Sequence, residues 1–271
     1  MTATTAPTDL APRVSVPQAL SHTATLAWRS LVQIRHNPFE LLDYSIQPIM
    51  FVLLFTYVFG GAIAGSPGEY LLFALPGLMV QNSLFTTLYS GVGLNTDLTK
   101  GVFDRLRSLP IARSAPLAGR ILADLVKQVW SVTLLLVVGM ILGFRLSHGL
   151  LGLLGAVALL LVTALAFSWI SVLVGMLVTE PEKVQIFGFT FMFPLTFTSN
   201  VFVPTDTMPG WLQAWVKVNP VTILADAIRG LLTNVPVGTP LGSSVVQSLL
   251  WAAAITAVFA PLAVLALRRR M

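Results

Sequence analysis

Apolar positions in this chain gather into long uncharged runs separated by short polar stretches. The runs lie at roughly 44–64, 70–95, 117–143, 150–178, 184–203 and 245–267. Each is near the ~20 residues that a helix needs to cross a hydrocarbon core. They predict six membrane-spanning helices, with Pro48 kinking the first and Pro76 interrupting the second. Ahead of them, Leu20, Ala24, Ala27, Leu31 and Ile34 recur at helical spacing over 18–37, with His22, Arg29 and Arg35 off the stripe. That pattern predicts a helix lying along the membrane surface, with Trp28 at headgroup depth. Residues 1–17 are rich in Thr, Ala and Pro and predict a disordered tail, leaving 38–271 as the membrane domain.

The stretch between the fifth and sixth runs, 204–244, is too long for a plain turn and carries two further helical patterns. Pro209 precedes Trp211, Leu212 and Trp215, while Asn219-Pro220 offers a cap and a first-turn proline to the next pattern. There Leu224, Ala227, Ile228 and Leu231 share one face, opposite Thr222, Asp226, Arg229 and Thr233. Two short amphipathic helices dipping into the outer leaflet are expected.

Composition agrees with an all-α integral membrane protein: 55% of the 271 residues are hydrophobic and 10% charged, with a mean hydropathy of +0.83. The net charge of +5 does not point to nucleic acid, because the basic residues flank apolar runs and are not interleaved with aromatics on a soluble face. There is no cysteine, which excludes disulfides, thiolate nucleophiles and cysteine metal sites.

Charge sets an expected orientation. Lys100, Arg105, Arg107, Arg113 and Arg120 form a basic island over 97–124, between the second and third runs. With both termini cytoplasmic, this island joins Arg13, Arg29, Arg35, Lys183 and the terminal Arg268, Arg269 and Arg270 on the inner side. Only Arg145, Lys217 and Arg229 fall outside, as the bias of basic residues toward the cytoplasm requires. Within the island, Val102, Phe103, Leu106 and Leu109 keep helical spacing, Asp104 precedes Arg107 by three, and Pro110 ends the pattern. It reads either as an ordinary positive loop in the headgroups or as a docking element for a soluble partner.

Motifs for catalysis are missing. No G-x-x-x-x-G-K-[ST] phosphate loop, H-E-x-x-H or G-x-S-x-G occurs, and the three histidines are scattered. The chain is therefore not expected to be an enzyme or to hold a cofactor or metal. Ionisable residues at membrane depth are the next place for function. Asp124 and Lys127 stand three apart in the third run, and Asp226 and Arg229 repeat that spacing; both read as structural pairs with gating as the alternative. An ion-coupled secondary transporter would use Asp124 and Lys127, although no internal repeat or pair of broken midplane helices accompanies them. A membrane scaffold is a further, non-transport reading. Uncharged polar residues suit a translocation path: Gln81, Asn82, Thr86 and Tyr89 in the second run, and Thr196, Ser199 and Asn200 in the fifth. Interhelical hydrogen bonding accounts for them equally well. Gly139 with Gly143, and Gly149, Gly152 and Gly155, predict close helix packing.

Three stretches carry a family resemblance. They are HNPFELLDYSIQPIMFVLLFTYVFGG, the island GVFDRLRSLPIARSAPLAGR, and FVPTDTMPGWLQAWVKVNPVTILADAIRGLL, in which NPVTILADAIRGL is the most specific part. Their order, with the surface helix and six runs, resembles the ABC-2 exporter permeases, particularly the drug-resistance branch. The resemblance implies the type V exporter fold in the plasma membrane, with two permease subunits and a separate ATPase that binds Mg-ATP. It implies that Lys100, Val102, Phe103, Asp104, Arg105, Leu106 and Arg107, helped by Arg29 and Arg35, rest against that ATPase. The implied cargo is a hydrophobic or amphiphilic drug, lipid or glycan.

Overall fold

The computed structural model describes residues 16–36, 38–102, 115–235 and 238–270, and all regular structure among them is helical. The tail expected over 1–17 lies outside the described residues except for its last two positions, because the surface helix α1 already begins at Val16 and runs Val16–His36. The first span is compound: α2 (Pro38–Leu54), a π-helical turn at Phe55–Phe59, and the short α3 (Gly60–Ala64). Next come α4 (Pro67–Thr99), α5 (Ala115–Ile141) and α6 (Gly149–Leu177). They are followed by α7 (Pro181–Phe197), α8 (Gly210–Val218), α9 (Pro220–Leu232) and α10 (Leu241–Arg270).

Two helix starts show capping chemistry, and the one at Asn219-Pro220 is where the sequence predicts it. Ser66 accepts the N–H of Glu69 at 3.3 Å ahead of Pro67, and the Asn219 side chain accepts that of Val221 at 2.9 Å ahead of Pro220. Both prolines sit where a missing N–H costs nothing.

Five helical segments among the described residues are long and apolar enough to cross a membrane. The fifth predicted run is the exception. Expected over 184–203, it forms the 17-residue α7, about 26 Å long at 1.5 Å per residue, and then breaks into a turn at 198–203. Thr198 N–H still reaches Pro194 O at 2.9 Å, but Leu195 O is taken by Asn219 Nδ2 at 2.8 Å and Ser199 N–H turns back to Thr196 O at 3.2 Å, which ends the helical ladder.

Helix α4 is the hub. The apolar stretch of α4 is 78% buried, against 22% in the first span and 17% in α10, whose outer faces carry exposed apolar side chains. Packing against α6 is close enough that a Cβ on Gly91 would collide with Ser171 O, and one on Gly175 with Gly91 O. Asn95 Nδ2 donates to Gly175 O and Val178 O at 2.8 and 2.7 Å, closing the last carbonyls of α6. Helix α1 lies on the first turns of α5, where Gly119 faces Leu26, Thr23 O and Ala27 N. Its buried face is therefore centred on Ala27, while Leu20 and Trp28 stay exposed. We call this the α1 end of the bundle; α8, α9 and the starts of α4, α6 and α10 mark the opposite, α9 end.

Two expectations change. Helix α9 does not lie on a leaflet: nearly every residue from Val221 to Arg229 is buried, between α4, α6 and α10. Of the spaced glycines, Gly139 (against Leu75) and Gly152 (against Leu231 O) do allow close packing. Gly143 and Gly149 instead hold φ of 108° and 58°, with nothing within 4 Å of a Cβ, so they serve turns.

Candidate functional site

A groove of about 70 Å³ runs between α2, α4 and α7. Helix α4 supplies most of it, since Gln81, Asn82, Phe85, Thr86 and Tyr89 fall at helical spacing on one side. Gln47, Pro48 and Phe51 come from α2, and Gln185 and Phe189 from α7. Phe85 and Phe189 meet in a tilted aromatic pair, ring centroids 5.4 Å apart. The wall is thus mostly aromatic and aliphatic with a few amides and hydroxyls, a surface suited to an amphiphile.

From Phe51 on the groove wall, a row of phenylalanines runs toward the α9 end. Phe51 stacks on Phe55 at 5.8 Å, Phe55 on Phe202 at 4.4 Å, and Phe202 meets Phe197 at 4.8 Å. Phe202 belongs to the turn after α7, and Tyr70 Oη on α4 donates to its carbonyl at 2.9 Å.

Behind the groove, the opposite side of α4 is sewn to α5 by a ladder of polar contacts. From the α1 end these are Arg120–Asp97 at 2.6 Å, Ser90 Oγ to Asp124 Oδ2 at 2.6 Å, Gln128 with Ser83, and Asn82 Nδ2 to Ser131 Oγ at 2.7 Å. Lys127 Nζ lies 3.9 Å from Asp124 Oδ1. The α4 members Ser83, Ser90 and Asp97 are seven apart, which keeps them on one seam of two nearly antiparallel helices. Beside Ser90 and Asp124 there is a cavity of about 20 Å³, lined also by Thr87, Gln128 and Ser168, and by Thr86, which lines the groove as well.

A third polar cluster sits at the α9 end. Arg229 is only 1% exposed. Its Nη1 donates to Asp226 Oδ1 at 3.0 Å, its Nε to Phe73 O at 2.9 Å, and its Nη2 to Asn200 O at 2.6 Å and Val201 O at 3.4 Å. The guanidinium also lies 3.9 Å over the Phe73 ring. Asn200 Nδ2 donates to the same Asp226 oxygen at 2.7 Å. Gly77 makes room for this: a Cβ there would stand 2.6 Å from Val201 O and 3.1 Å from Arg229 Nη2. The polar face read on α9 is therefore spent on protein partners, which is why the helix is buried on all sides.

The residues singled out in the sequence are thus divided. Gln81, Asn82, Thr86 and Tyr89 share the groove; Thr196, Ser199 and Asn200 do not line it and are buried around the end of α7, where Asn200 alone meets Arg229 and Asp226. Asp124 and Lys127 belong to the α4–α5 seam. Lys100 ends α4 and is exposed, Val102 follows it, and Arg29 is exposed on α1. Phe103, Asp104, Arg105, Leu106 and Arg107 lie outside the described residues, and of Arg35 only the helical backbone is described. Sequence reasoning missed Ser90, Asp97, Gln128 and Ser131 as seam partners; the seven-residue recurrence of small or acidic residues on α4 was the available signal.

The family model for the ABC-2 type transporter matches residues 21–233. The chain is 43% identical over 244 residues to the daunorubicin resistance ABC transporter permease protein DrrB1 of Streptomyces coeruleorubidus, covering 90% of this chain and 85% of that protein. It is 25% identical over 256 residues to the probable doxorubicin resistance ABC transporter permease protein DrrC of Mycobacterium tuberculosis, covering 94% and 90%. To the putative transport permease ycf38 of Cyanophora paradoxa it is 27% identical over 215 residues, covering 77% and 73%.

Proposed function

Given that the chain belongs to the ABC-2 type transporter family and is a permease subunit of an ABC transporter, we propose that it exports a hydrophobic or amphiphilic drug from the cell. Resistance to daunorubicin and doxorubicin, named for two of its relatives, supports a drug of that kind over a glycan or lipid. The observation that carries the proposal is the mixed aromatic and amide groove on α4, the helix that leads at its α1 end into the basic segment 103–114. Gln81, Asn82, Thr86 and Tyr89 are the proposed cargo contacts. A second permease subunit, a copy or a relative, would complete the open side of the groove.

The ATPase is a separate subunit that binds Mg-ATP. It docks on Lys100, Val102, Phe103, Asp104, Arg105, Leu106 and Arg107, with Arg29 and Arg35 alongside. This places the α1 end, both termini and the basic island in the cytoplasm, and the protein in the plasma membrane. ATP-driven closure of the ATPase pair pushes on α4 and α5 together, because the Asp97–Arg120 and Ser90–Asp124 contacts fasten them at the base of the loop.

The same contacts favour a structural role for Asp124 and Lys127 over ion coupling, since Asp124 is engaged by Ser90 and Lys127 and stands apart from the groove. The test is reconstitution of the chain with its ATPase in liposomes, with and without alanine at Asp104 and Arg105. Native vesicles should move daunorubicin only with ATP, and the double variant should lose both export and ATPase stimulation. Uphill transport driven by a proton gradient without the ATPase would overturn the reading.

A further inference from the structure

Phe51 on the groove wall begins a row of phenylalanines, and the one at its centre, Phe202, is on no helix. It sits in the turn 198–203, next to the two carbonyls that Arg229 holds. From this arrangement we infer that Phe202 is the stopper of the groove at its α9 end, and that Arg229 on α9 is the latch that keeps it seated. The inference rests on the permease reading for its direction, with the α9 end facing outward.

The chain of contacts is short. Phe202 stacks on Phe55 from the first span at 4.4 Å and meets Phe197 from the last turn of α7 in a tilted pair at 4.8 Å, and Phe55 in turn stacks on Phe51 of the groove wall. Phe202 is not held by a helix of its own. Its position comes from Tyr70, which donates to its carbonyl, and from Arg229, which grips Asn200 O and Val201 O just before it. Arg229 also reaches Phe73 O on α4, so one side chain ties α9, the turn and α4 together.

The electrostatics make this a latch and not a permanent staple. A charge buried against a counter-ion on another element cannot leave without stranding both, at a cost of several kcal/mol. Here the counter-ion, Asp226, is three residues away on the same helix. When α9 shifts, the ion pair travels with it as a nearly neutral unit. Only neutral partners are exchanged, namely the carbonyls of Phe73, Asn200 and Val201 and the Asn200 amide. Such bonds are each of modest net strength and can be remade. Release of the two turn carbonyls frees Phe202 to leave the stack. Arg229 and Asp226 are positioning residues in this scheme, acting through Phe202 on the groove.

The chain has no native cysteine, so single introduced thiols report cleanly. Thr86→Cys places one in the groove wall. In intact cells treated with a membrane-impermeant maleimide, this thiol should label slowly when Phe202 is present. Phe202→Ala should label several-fold faster, and so should Arg229→Lys, because an ammonium lacks the planar fork that serves three carbonyls at once. Phe202→Trp should stay slow. Equal rates in all four overturn the inference.

A second arm does not depend on those variants folding. A Cβ on Gly230 of α9 would lie 3.6 Å from Leu241 Cβ at the start of α10, within the range for a disulfide. Gly230→Cys with Leu241→Cys should stop ATP-driven daunorubicin export when oxidised and restore it on reduction. Undiminished export with the disulfide formed overturns the latch. Absence of export by the native chain with its ATPase would sink the permease reading and leave the labelling contrast standing; unchanged labelling with intact export would sink the stopper alone.

Discussion

Ser90 on α4 donates a 2.6 Å hydrogen bond to Asp124 on α5, and Asp124 stands 3.9 Å from Lys127 on its own helix. Both charged side chains are largely buried. A polar contact between membrane helices is worth only ~0.6 kcal/mol on average. An ion left without its partner in a buried site costs more, up to ~3–5 kcal/mol. The wide spacing of this pair and its residual exposure argue for a cost below that range. Asp124→Asn is therefore expected to destabilise the protein by roughly 1–3 kcal/mol, and Ser90→Ala by less than 1 kcal/mol. Adding Lys127→Met to Asp124→Asn should recover most of the loss. Thermal unfolding of detergent-solubilised protein as a double-mutant cycle measures the coupling. Additive effects of the two substitutions would rule out the pair as a unit.

The α4–α6 contact makes a sharper prediction, because backbone cannot move aside as a side chain can. Gly91→Ala drives a methyl into Ser171 O, and Gly175→Ala drives one into Gly91 O. Each should cost ~1–3 kcal/mol through forced separation of the two helices. Gly61→Ala and Gly242→Ala meet nothing within 4 Å and serve as controls, expected to stay within ±0.5 kcal/mol. Circular-dichroism melts in detergent decide it; equal melting for the Gly91 variant and the controls would mean that α4 and α6 are not packed as described.

In the groove, Phe85 and Tyr89 offer ring faces while Gln81 offers an amide, so aromatic and polar losses should separate. Phe85→Ala removes its pairing with Phe189 and apolar wall, and is expected to raise the KM for aromatic cargo several-fold. Gln81→Leu keeps volume but removes the amide, and should change preference among cargoes of different polarity with little change in maximal rate. Transport assays across a drug series check this. Uniform loss of rate for every cargo with unchanged KM would move these residues out of the binding wall.

Much of this architecture was legible in the chain because hydrophobic length alone dictates a span. The cap at Asn219-Pro220 follows from local chemistry and appears where the residues predict. The fate of α9 was not legible. Its Leu224–Ile228 face and Asp226–Arg229 face have the periodicity of an interfacial helix, and only tertiary structure reveals that Phe73 O, Asn200 O and Val201 O receive the charged side. In the same way, the polar residues of the second run read as one cluster. Gln81 and Tyr89 in fact face the groove, Ser83 and Ser90 face α5, and Asn82 serves both. Helical spacing identifies such faces, but which neighbour each one meets depends on contacts far away in sequence.

Helix α8 carries the last prediction. Trp211, Trp215 and Val218 recur at i, i+4 and i+7 and are 77%, 46% and 57% exposed, so one apolar stripe of this helix is largely uncovered by the described residues. Helix α8 lies where α4, α6 and α10 begin and α5 and α7 end, which is the level of a membrane surface. Trp215 Nε1 donates to Thr198 Oγ1 at 2.8 Å, tying the stripe to the end of α7. Indole rings concentrate at this depth because they are apolar with one polar edge. Trp211 should therefore lie in the headgroup region. With the other five of the six tryptophans replaced by phenylalanine, its fluorescence should be quenched strongly by lipids brominated near the headgroup and weakly by those brominated near the chain ends. Stronger quenching by the deep bromines would place α8 inside the hydrocarbon, and quenching only by aqueous iodide would lift it off the membrane. Either result would contradict the surface placement.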